Sequence, residues 1–177
     1  MSDPRYPIGK YEVDPHVTPQ KRRAWIAAIA ACPTELRAAV DGLADAALDT
    51  PYRPGGWTVR RLVHHLPDSH LNAYCRVKLA LTENEPTIRP YDQDRWAELP
   101  DSRSPVENSL VLLESLHRRW VLLLESLAGL EWGRTLKHPE LGTMTVDNVA
   151  GLYAWHGRHH VAHITALRAR LAPRQRA

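Results

Sequence analysis

Four of the ten histidines in this 177-residue chain lie in the segment LYAWHGRHHVAHI, which covers residues 152–164. They are His156, His159, His160 and His163. Imidazole is a common ligand of zinc, nickel and other divalent metals, and it is also the side chain whose charge changes nearest to neutral pH. The segment therefore indicates a metal site, a pH sensor or a set of structural histidines, and the directions of the rings decide among them.

A helical periodicity brings three of these rings to one side. At about 100° per residue, His156, His160 and His163 fall within about 60° of one another, whereas His159 lies nearer the edge of this stripe. The same stripe carries the apolar residues Val149, Leu152 and Leu167, so we expect it to face the interior of the protein. Because His156 and His160 are one helical turn apart, their side chains can share one metal ion.

A metal site needs at least one more ligand, and the segment RRLVHHLPDSHLNAY, residues 60–74, offers three histidines. If Leu62 and Leu66 face inward on a helix, His64 points to the opposite side, while His65 lies at the margin of the inward face and His70 faces roughly inward. The spacing therefore favours either His65 or His70 as the third ligand. The alternative is that each inward histidine is a core residue bonded to a neighbour. We expect the histidines without such convergence to be surface or loop residues: His16, His117 and His138.

Composition restricts the class of protein. Hydrophobic residues make up 44% and charged residues 24% of the chain, which are ordinary values for a globular protein. The net charge is only +3, and the basic residues are scattered among acidic ones, so we expect no nucleic-acid partner. No run approaches the roughly 18 apolar residues of a membrane span, and the N-terminus does not read as a signal peptide. The two cysteines, Cys32 and Cys75, suit a reducing compartment, and we expect a cytoplasmic protein.

Capping residues and prolines predict two long helices in the first half of the chain. Thr18 and Pro19 are a good start for the first helix, which we expect to kink or restart at Cys32-Pro33. The second helix covers about residues 58–81, and Pro67 predicts a local bend within it. Residues 1–17, which contain three prolines, are expected to form an extended arm.

Two further helices are predicted in the second half. The third begins at the capping box Ser104–Glu107 and ends near Gly129, and the fourth runs from Thr145 to about Leu171. Residues 83–104 are a long connection with one short helix near 92–99, and residues 132–145 are a small hairpin or irregular excursion. Together these elements predict an all-α four-helix bundle that forms a single domain over residues 1–177.

Four segments of the chain resemble a known family. RYPIGKY, TPYRPGGWTVRRLVHHLPDSH, IRPYDQDRWAEL and LYAWHGRHHVAHI are similar to the YfiT-like branch of the DinB superfamily, which comprises damage-inducible metalloproteins. The resemblance implies a four-helix bundle that is usually a homodimer and that holds a divalent metal with three histidines. It also implies one such ion, zinc or nickel, per chain.

The resemblance assigns the ligands residue by residue. His65, the histidine before Leu-x-Asp, matches the first ligand of the family, and the H-x₃-H pair His156 and His160 matches the other two. His163 matches a position that is often glutamine in the wider superfamily, so we expect it to lie beside the ligands. Pro67 departs from the pattern, because a small helix-forming residue is expected two positions after the first ligand.

Two reactions and one non-catalytic role are compatible with these residues. The YfiT-like branch includes bacillithiol S-transferases, so we expect first a metal-dependent transferase that adds a small thiol to an electrophile. An H-x₃-H pair without an evident glutamate base suits this reaction, because an ionised thiol needs no strong base. The alternative is a metal-dependent hydrolase that uses a metal-activated water. The third possibility is a metal-binding stress protein without turnover.

Further residues are candidates for the pocket. Asp68 is the first candidate for a base or an orienting group, and Asp92 and Asp94 are others. An anionic thiol would need arginine near the metal, and the tryptophans near the histidines are candidate walls. These candidates are Arg89, Arg95, Arg158, Trp57, Trp96 and Trp155.

A homodimer is expected from the resemblance and from the number of large aromatic side chains. Tyr6, Tyr11, Trp25 and Trp120 provide more apolar surface than one small core is expected to need. Two-fold symmetric pairs are the commonest assembly. A monomer with all four aromatic residues inside is the alternative.

Overall fold

Four long helices account for most of residues 3–171, the part of the chain that the computed structural model describes. They are α1 (Pro19–Val40), α3 (Val59–Thr82), α5 (Val106–Glu125) and α6 (Val146–Leu171), with the short helices α2 (Asp45–Leu48) and α4 (Gln93–Trp96) between them. The predicted four-helix bundle is therefore confirmed. The ends of the predicted domain, residues 1–2 and 172–177, lie outside the described residues.

The start of α5 differs from the prediction. The capping box Ser104–Glu107 does not form, because Pro105 is the N-cap and no side chain caps the helix. Ser104 instead ends a 3-10 turn, Pro100–Arg103, where its amide donates to the carbonyl of Asp101 at 3.0 Å. By contrast, Thr18 caps α1 as expected, and Thr58 caps α3, each accepting from a backbone amide at 3.2 Å.

Pro33 lies inside α1 without ending it. The helix continues from Pro19 to Val40, so the predicted restart at Cys32-Pro33 does not occur. A proline has no amide hydrogen to donate to the carbonyl four residues earlier. Within α1 that carbonyl belongs to Ile29, which is left free for another donor.

A layer of histidines separates two apolar cores along the bundle. One core contains Trp120, Val77 and Val149, and the other contains Leu36, Leu62 and Ile164. On α3 the two cores are divided between Leu66 and Ala73, and on α6 between Ala154 and Ile164. His70 of α3 and the four histidines of α6 thus lie between the two cores.

Close approach of α1 and α6 fixes the position of the histidine-bearing helix. A Cβ atom at Gly157 would lie 2.6 Å from Sγ of Cys32, so a side chain at this crossing would force Cys32 to move. Arg22 of α1 donates to both carboxylate oxygens of Asp147 on α6, at 2.8 and 2.7 Å. The first turn of α6 is therefore held by a bidentate ion pair.

The segment between α5 and α6 forms the predicted hairpin. Strands β1 (Thr135–His138) and β2 (Gly142–Thr145) are antiparallel, with Thr135 opposite Thr145. The backbone of Lys137 also bonds the 83–104 connection, accepting from Ile88 at 3.0 Å and donating to Pro86 at 2.9 Å. His138 is buried at the end of β1, so its expected place on the surface is wrong.

The N-terminal arm lies against α6. Residues 3–18 contain turns but no helix or strand. The Tyr11 hydroxyl donates to the carbonyl of Asn148 at 3.4 Å, and the ring of Tyr6 lies 6.2 Å from that of His159. Trp25 also lies under α6, where it contacts Gly151, and Trp120 is completely buried. Trp120 is thus used wholly within the chain, whereas Tyr6, Tyr11 and Trp25 pack against α6 but stay half-buried.

None of the helices in residues 3–171 is long and apolar enough to cross a membrane.

Candidate metal centre

Three histidines from two helices converge in the middle of the bundle. Nε2 of His156 lies 3.4 Å from Nε2 of His65 and 3.1 Å from Nε2 of His160. One ring nitrogen of each of the three residues lies within 4.8 Å of the others. The set that the resemblance assigned is therefore brought together by α3 and α6.

The spacing of these nitrogen atoms fits a shared metal ion. Zinc–nitrogen bonds are about 2.0–2.1 Å, so two ligands in a tetrahedral arrangement lie about 3.4 Å apart. The contacts of 3.4 and 3.1 Å are close to this value. No aspartate, glutamate or cysteine of residues 3–171 belongs to the group, so the donor set is three imidazoles.

Burial keeps these three imidazoles neutral. It lowers the pKa of His65 to about 4. Burial, together with the neighbouring histidines, also lowers the pKa values of His156 and His160 well below the ordinary value. A metal binds the unprotonated ring nitrogen. All three side chains can therefore bind a metal at neutral pH without first losing a proton.

His70 lies behind His156 rather than beside it. Nε2 of His70 is 3.1 Å from Nδ1 of His156, and its Nδ1 is 2.8 Å from Nε2 of His117. Both nitrogen atoms of His70 are thus engaged, which leaves His65 as the histidine of α3 that faces the other two. His117 is 1% exposed and Nδ1 lies 2.6 Å from the carbonyl oxygen of Ile29. The expectation that His117 is a surface residue is wrong.

His64 faces away from the centre, as its helical position predicts. Its Nδ1 lies 2.7 Å from the hydroxyl of Ser109 on α5, and its Nε2 lies 3.1 Å from the carbonyl of Ser104. The side chain is buried between α3 and α5. His64 is therefore bonded within the core and does not contact the other histidines.

A cleft of about 420 Å³ opens over the three histidines. Trp57 packs the edge of its ring on His65, with ring centres 4.9 Å apart, and Trp155 stacks on His159 at 4.3 Å. The lining residues include both tryptophans, the histidines of α6, and polar side chains from the 50–56 loop and from α4: Tyr52, Arg53, Gln93 and Asp94. Of the predicted pocket residues, Trp57, Trp155, Asp94 and His163 thus line the cleft.

Sequence reasoning missed Tyr52 and Arg53. They belong to the loop TPYRPGG, residues 50–56, whose last residue lies three positions before the start of the helix that carries His65. The Arg53 Nε donates to the Tyr52 hydroxyl at 3.0 Å, and its Nη1 donates to the carbonyl of Pro54 at 3.0 Å. A Cβ atom at Gly56 would lie within 2.9 Å of both side chains. Because this loop lies close to His65 in the sequence, the two residues could have been predicted to lie near the metal site.

The other predicted pocket residues lie elsewhere. Arg158 is exposed and donates to the carbonyl of Ala154 on its own helix at 3.0 Å. Asp92 caps α4 by accepting from the amide of Arg95 at 3.0 Å. Asp68 is half-buried on α3, where burial raises the pKa of its carboxyl group to about 6. The remaining candidates, Arg89, Arg95 and Trp96, are exposed on the long connection.

His163 lies in a second group of histidines on α6. One ring nitrogen each of His159, His160 and His163 lies within 4.8 Å of the others. This group shares His160 with the first one. Nε2 of His163 donates to the carbonyl of Arg5 at 3.2 Å, and its ring stacks on Tyr52 at 4.0 Å. His163 therefore links the N-terminal arm to the edge of the cleft.

A smaller cavity of about 200 Å³ lies on the other side of His156. It is lined by Arg76, Tyr91 and His138 together with Ser69 and Tyr153, and the Ser69 hydroxyl donates to that of Tyr153 at 3.3 Å. Burial raises the pKa of Tyr91 to about 12, so its hydroxyl stays protonated. This cavity offers hydroxyl groups, the guanidinium group of Arg76 and the carboxylate of Glu140 next to the candidate metal ligand.

Comparison with known proteins identifies the family. The sequence profile of the DinB superfamily matches residues 28–164. The chain belongs to the DinB superfamily. It is 56% identical over 171 residues to a Bacillus cereus protein named "Putative metal-dependent hydrolase", and the match covers 97% of this chain and 99% of the relative. A Bacillus anthracis protein of the same name is 55% identical with the same coverage.

Two solved structures share the fold. YfiT from Bacillus subtilis, described as "a probable metal-dependent hydrolase with an unusual four-helix bundle topology", matches with a TM-score of 0.92 and 46% identity, over 95% of this chain and 97% of YfiT. TT2238, a four-helix bundle protein, matches with a TM-score of 0.53 and 20% identity, over 84% of this chain and 98% of TT2238, and it supports the fold alone. The expected YfiT-like, DinB-type bundle is thus confirmed.

Proposed function

We propose that this DinB-superfamily protein is a metal-dependent hydrolase whose metal ion is bound by His65, His156 and His160. The observation that carries the proposal is the convergence of three neutral imidazoles below an open cleft. Nε2 of His156 lies 3.4 Å from Nε2 of His65 and 3.1 Å from Nε2 of His160. Three nitrogen ligands without a carboxylate or thiolate leave coordination positions free, which is typical of catalytic sites. The ion, Zn²⁺ or Ni²⁺, supplies an activated water when it is bound.

The names of the relatives favour hydrolysis over the thiol transfer that the sequence suggested first. The Bacillus cereus and Bacillus anthracis proteins are each named "Putative metal-dependent hydrolase", and YfiT is described as "a probable metal-dependent hydrolase". A water molecule and a thiol would compete for the same open positions. Hydrolysis therefore becomes the first proposal and thiol transfer the second.

The cleft suits a small substrate with an anionic group. Its volume of about 420 Å³ is within the usual range for small-molecule sites. Arg53 is the cation that lines it, and its guanidinium group is held by Tyr52 and by the carbonyl of Pro54. A substrate carboxylate or phosphate bonded to Arg53 would have its reacting group near His65, which lines the same cleft.

Asp94 is the better placed carboxylate for proton transfer. It lines the cleft that contains the three histidines, whereas Asp68 lines neither that cleft nor the smaller cavity among the described residues. Asp94 can accept a proton from the attacking water as a general base. A catalytic role for Asp68 stays a prediction from the sequence.

A hydrolysis screen tests the proposal. Purified protein is stripped with a chelator, reloaded with Zn²⁺ or Ni²⁺, and given a panel of carboxylate-bearing esters, amides and phosphate esters. We expect turnover with the reloaded protein that is lost in the stripped protein and in His160→Ala but kept in His64→Ala. Equal rates for the loaded protein and for His160→Ala would contradict the proposal.

Thiol transfer is the second candidate, and Arg53 is the observation that favours it. A low-molecular-weight thiol that carries carboxylates would find a cationic partner in the cleft. The same metal-loaded samples are incubated with monochlorobimane and a set of small thiols, including bacillithiol. Conjugation above the metal-free control, without turnover in the hydrolysis screen, would replace hydrolysis by thiol transfer as the reaction.

A further inference from the structure

Three histidines and one backbone carbonyl form a continuous chain of contacts behind the candidate metal centre; His70 and His117 are buried and His156 is half-buried. His156 contacts His70 at 3.1 Å, His70 contacts His117 at 2.8 Å, and His117 contacts the carbonyl oxygen of Ile29 at 2.6 Å. His70 is 0% and His117 is 1% exposed, so water cannot replace these partners. The chain joins α6, α3, α5 and α1.

The carbonyl at the end of the chain is free because of a proline. Pro33 has no amide hydrogen, so it cannot donate to Ile29, which precedes it by four residues in α1. A carbonyl oxygen can only accept a hydrogen bond. His117 must therefore carry its hydrogen on Nδ1.

The direction of every other bond follows from this end. A neutral imidazole carries one hydrogen, so Nε2 of His117 accepts and Nδ1 of His70 donates to it. Nε2 of His70 then accepts, and Nδ1 of His156 donates to it. The lone pair of His156 remains on Nε2, the atom that lies 3.4 and 3.1 Å from His65 and His160.

We infer that His70 and His117 are positioning residues that hold His156 in the tautomer with a hydrogen on Nδ1, so that Nε2 is always available for the metal. The inference rests on the metal centre of the proposed function. Hydrogen bonds to the far nitrogen of a metal-binding histidine fix the orientation of its ring and raise its basicity. Here His70 and His117 make these hydrogen bonds. The Ile29 carbonyl, which Pro33 leaves without a helical donor, fixes the outer end of the chain.

The tautomers can be measured in the metal-free protein. In ¹⁵N-labelled wild-type protein at neutral pH, two-bond ¹H–¹⁵N correlation spectra distinguish protonated from unprotonated ring nitrogens. We expect His70, His117 and His156 all to carry the hydrogen on Nδ1, which is the minor tautomer of free histidine in water. A hydrogen on Nε2 of His156 or His70 would overturn the inference, and this measurement requires neither a variant nor a bound metal.

Zinc affinity provides the second test, by competition with a chromophoric chelator. We expect His117→Phe to bind Zn²⁺ about 10- to 100-fold more weakly than the wild-type protein. His117→Gln keeps an acceptor for His70 and should lose less. The matched control is His64→Leu, which removes a buried, doubly bonded histidine from the same pair of helices and should keep wild-type affinity.

The possible results separate this inference from the proposed function. Wild-type affinity in His117→Phe, or equal losses in His117→Phe and His64→Leu, would overturn the positioning role while leaving the metal centre in place. Equal losses in His117→Phe and His117→Gln would also overturn it, since the acceptor would then not matter. A wild-type protein that binds no metal would contradict the proposed function, whereas the tautomer measurement would still decide the direction of the chain.

Discussion

The Nε2 atoms of His65 and His156 lie 3.4 Å apart, although 91 positions separate the two residues in the chain. α3 and α6 bring them together at mid-height of the bundle, where His160 joins them from the next turn of α6. The bundle thus assembles a site of three neutral imidazole nitrogen atoms, which lies between two apolar cores and below an open cleft.

Adjacent histidines of α3 should respond differently to substitution. We expect His65→Ala to abolish most metal binding, because its Nε2 belongs to the candidate site. His64→Ala should keep the metal but lower the free energy of unfolding by about 1–3 kcal/mol, because it leaves the buried Ser109 hydroxyl and the half-buried Ser104 carbonyl without their partner. Metal analysis and urea unfolding measure the two effects, and equal metal loss in both variants would contradict the orientation of α3.

The metal-free protein should lose stability as the pH falls. Burial lowers the pKa values of His65 and His117 from 6.5 to about 4, so the unfolded chain binds more protons than the folded one between these values. Stability is therefore fully present above pH 6.5 and decreases as the pH falls toward 4. Urea unfolding at pH 7, 5.5 and 4.5 checks this, and a free energy of unfolding that rises toward pH 4.5 would be inconsistent with neutral buried histidines.

Gly157 should not tolerate a side chain. Gly157→Ala places a Cβ atom 2.6 Å from Sγ of Cys32, and we expect a loss of about 1–3 kcal/mol in the free energy of unfolding from overpacking. Cys32→Ala in the same chain should restore part of the loss. Gly129→Ala, where nothing lies within 4 Å, is the control, and thermal unfolding of the three variants compares them.

Much of the bundle could be predicted from local sequence, because caps and periodicity act within a few residues. Thr18 and Thr58 marked two helix starts, and the spacing of His156 and His160 placed both on one face. The environment of His117 was missed, although Leu113 and Trp120 lie on the same side of α5 and are buried. Its burial was thus within reach of the same periodicity argument.

Other features depend on packing between helices, which spacing alone does not reveal. Sequence periodicity left His65 and His70 open as the third ligand, and only the crossing of α3 with α6 places His70 behind His156. The partners of His64 on α5 and in the preceding turn were likewise not predictable. The position of Arg53 in the cleft depends on the path of its loop, in which Arg53 is followed by Pro54, Gly55 and Gly56. Local sequence does not fix that path.

The homodimer remains a prediction from the resemblance. Trp120 is completely buried and no longer argues for a partner, whereas Trp25, Tyr6 and Tyr11 are half-buried and keep exposed surface. Leu122 of α5 is 67% exposed. We expect a two-fold dimer of about 40 kDa in sedimentation at micromolar concentration. A single species near 20 kDa, unchanged when metal is added, would show that the protein is a monomer.

The metal content of purified wild-type, His156→Ala and His160→Ala proteins tests the central claim most directly. We predict one divalent ion per wild-type chain by elemental analysis and strong loss in both variants, since each removes one of three ligands. Circular dichroism provides the control that the helical bundle is retained. Full metal retention in either folded variant, or a wild-type protein that cannot be loaded with Zn²⁺ or Ni²⁺, would contradict the three-histidine centre.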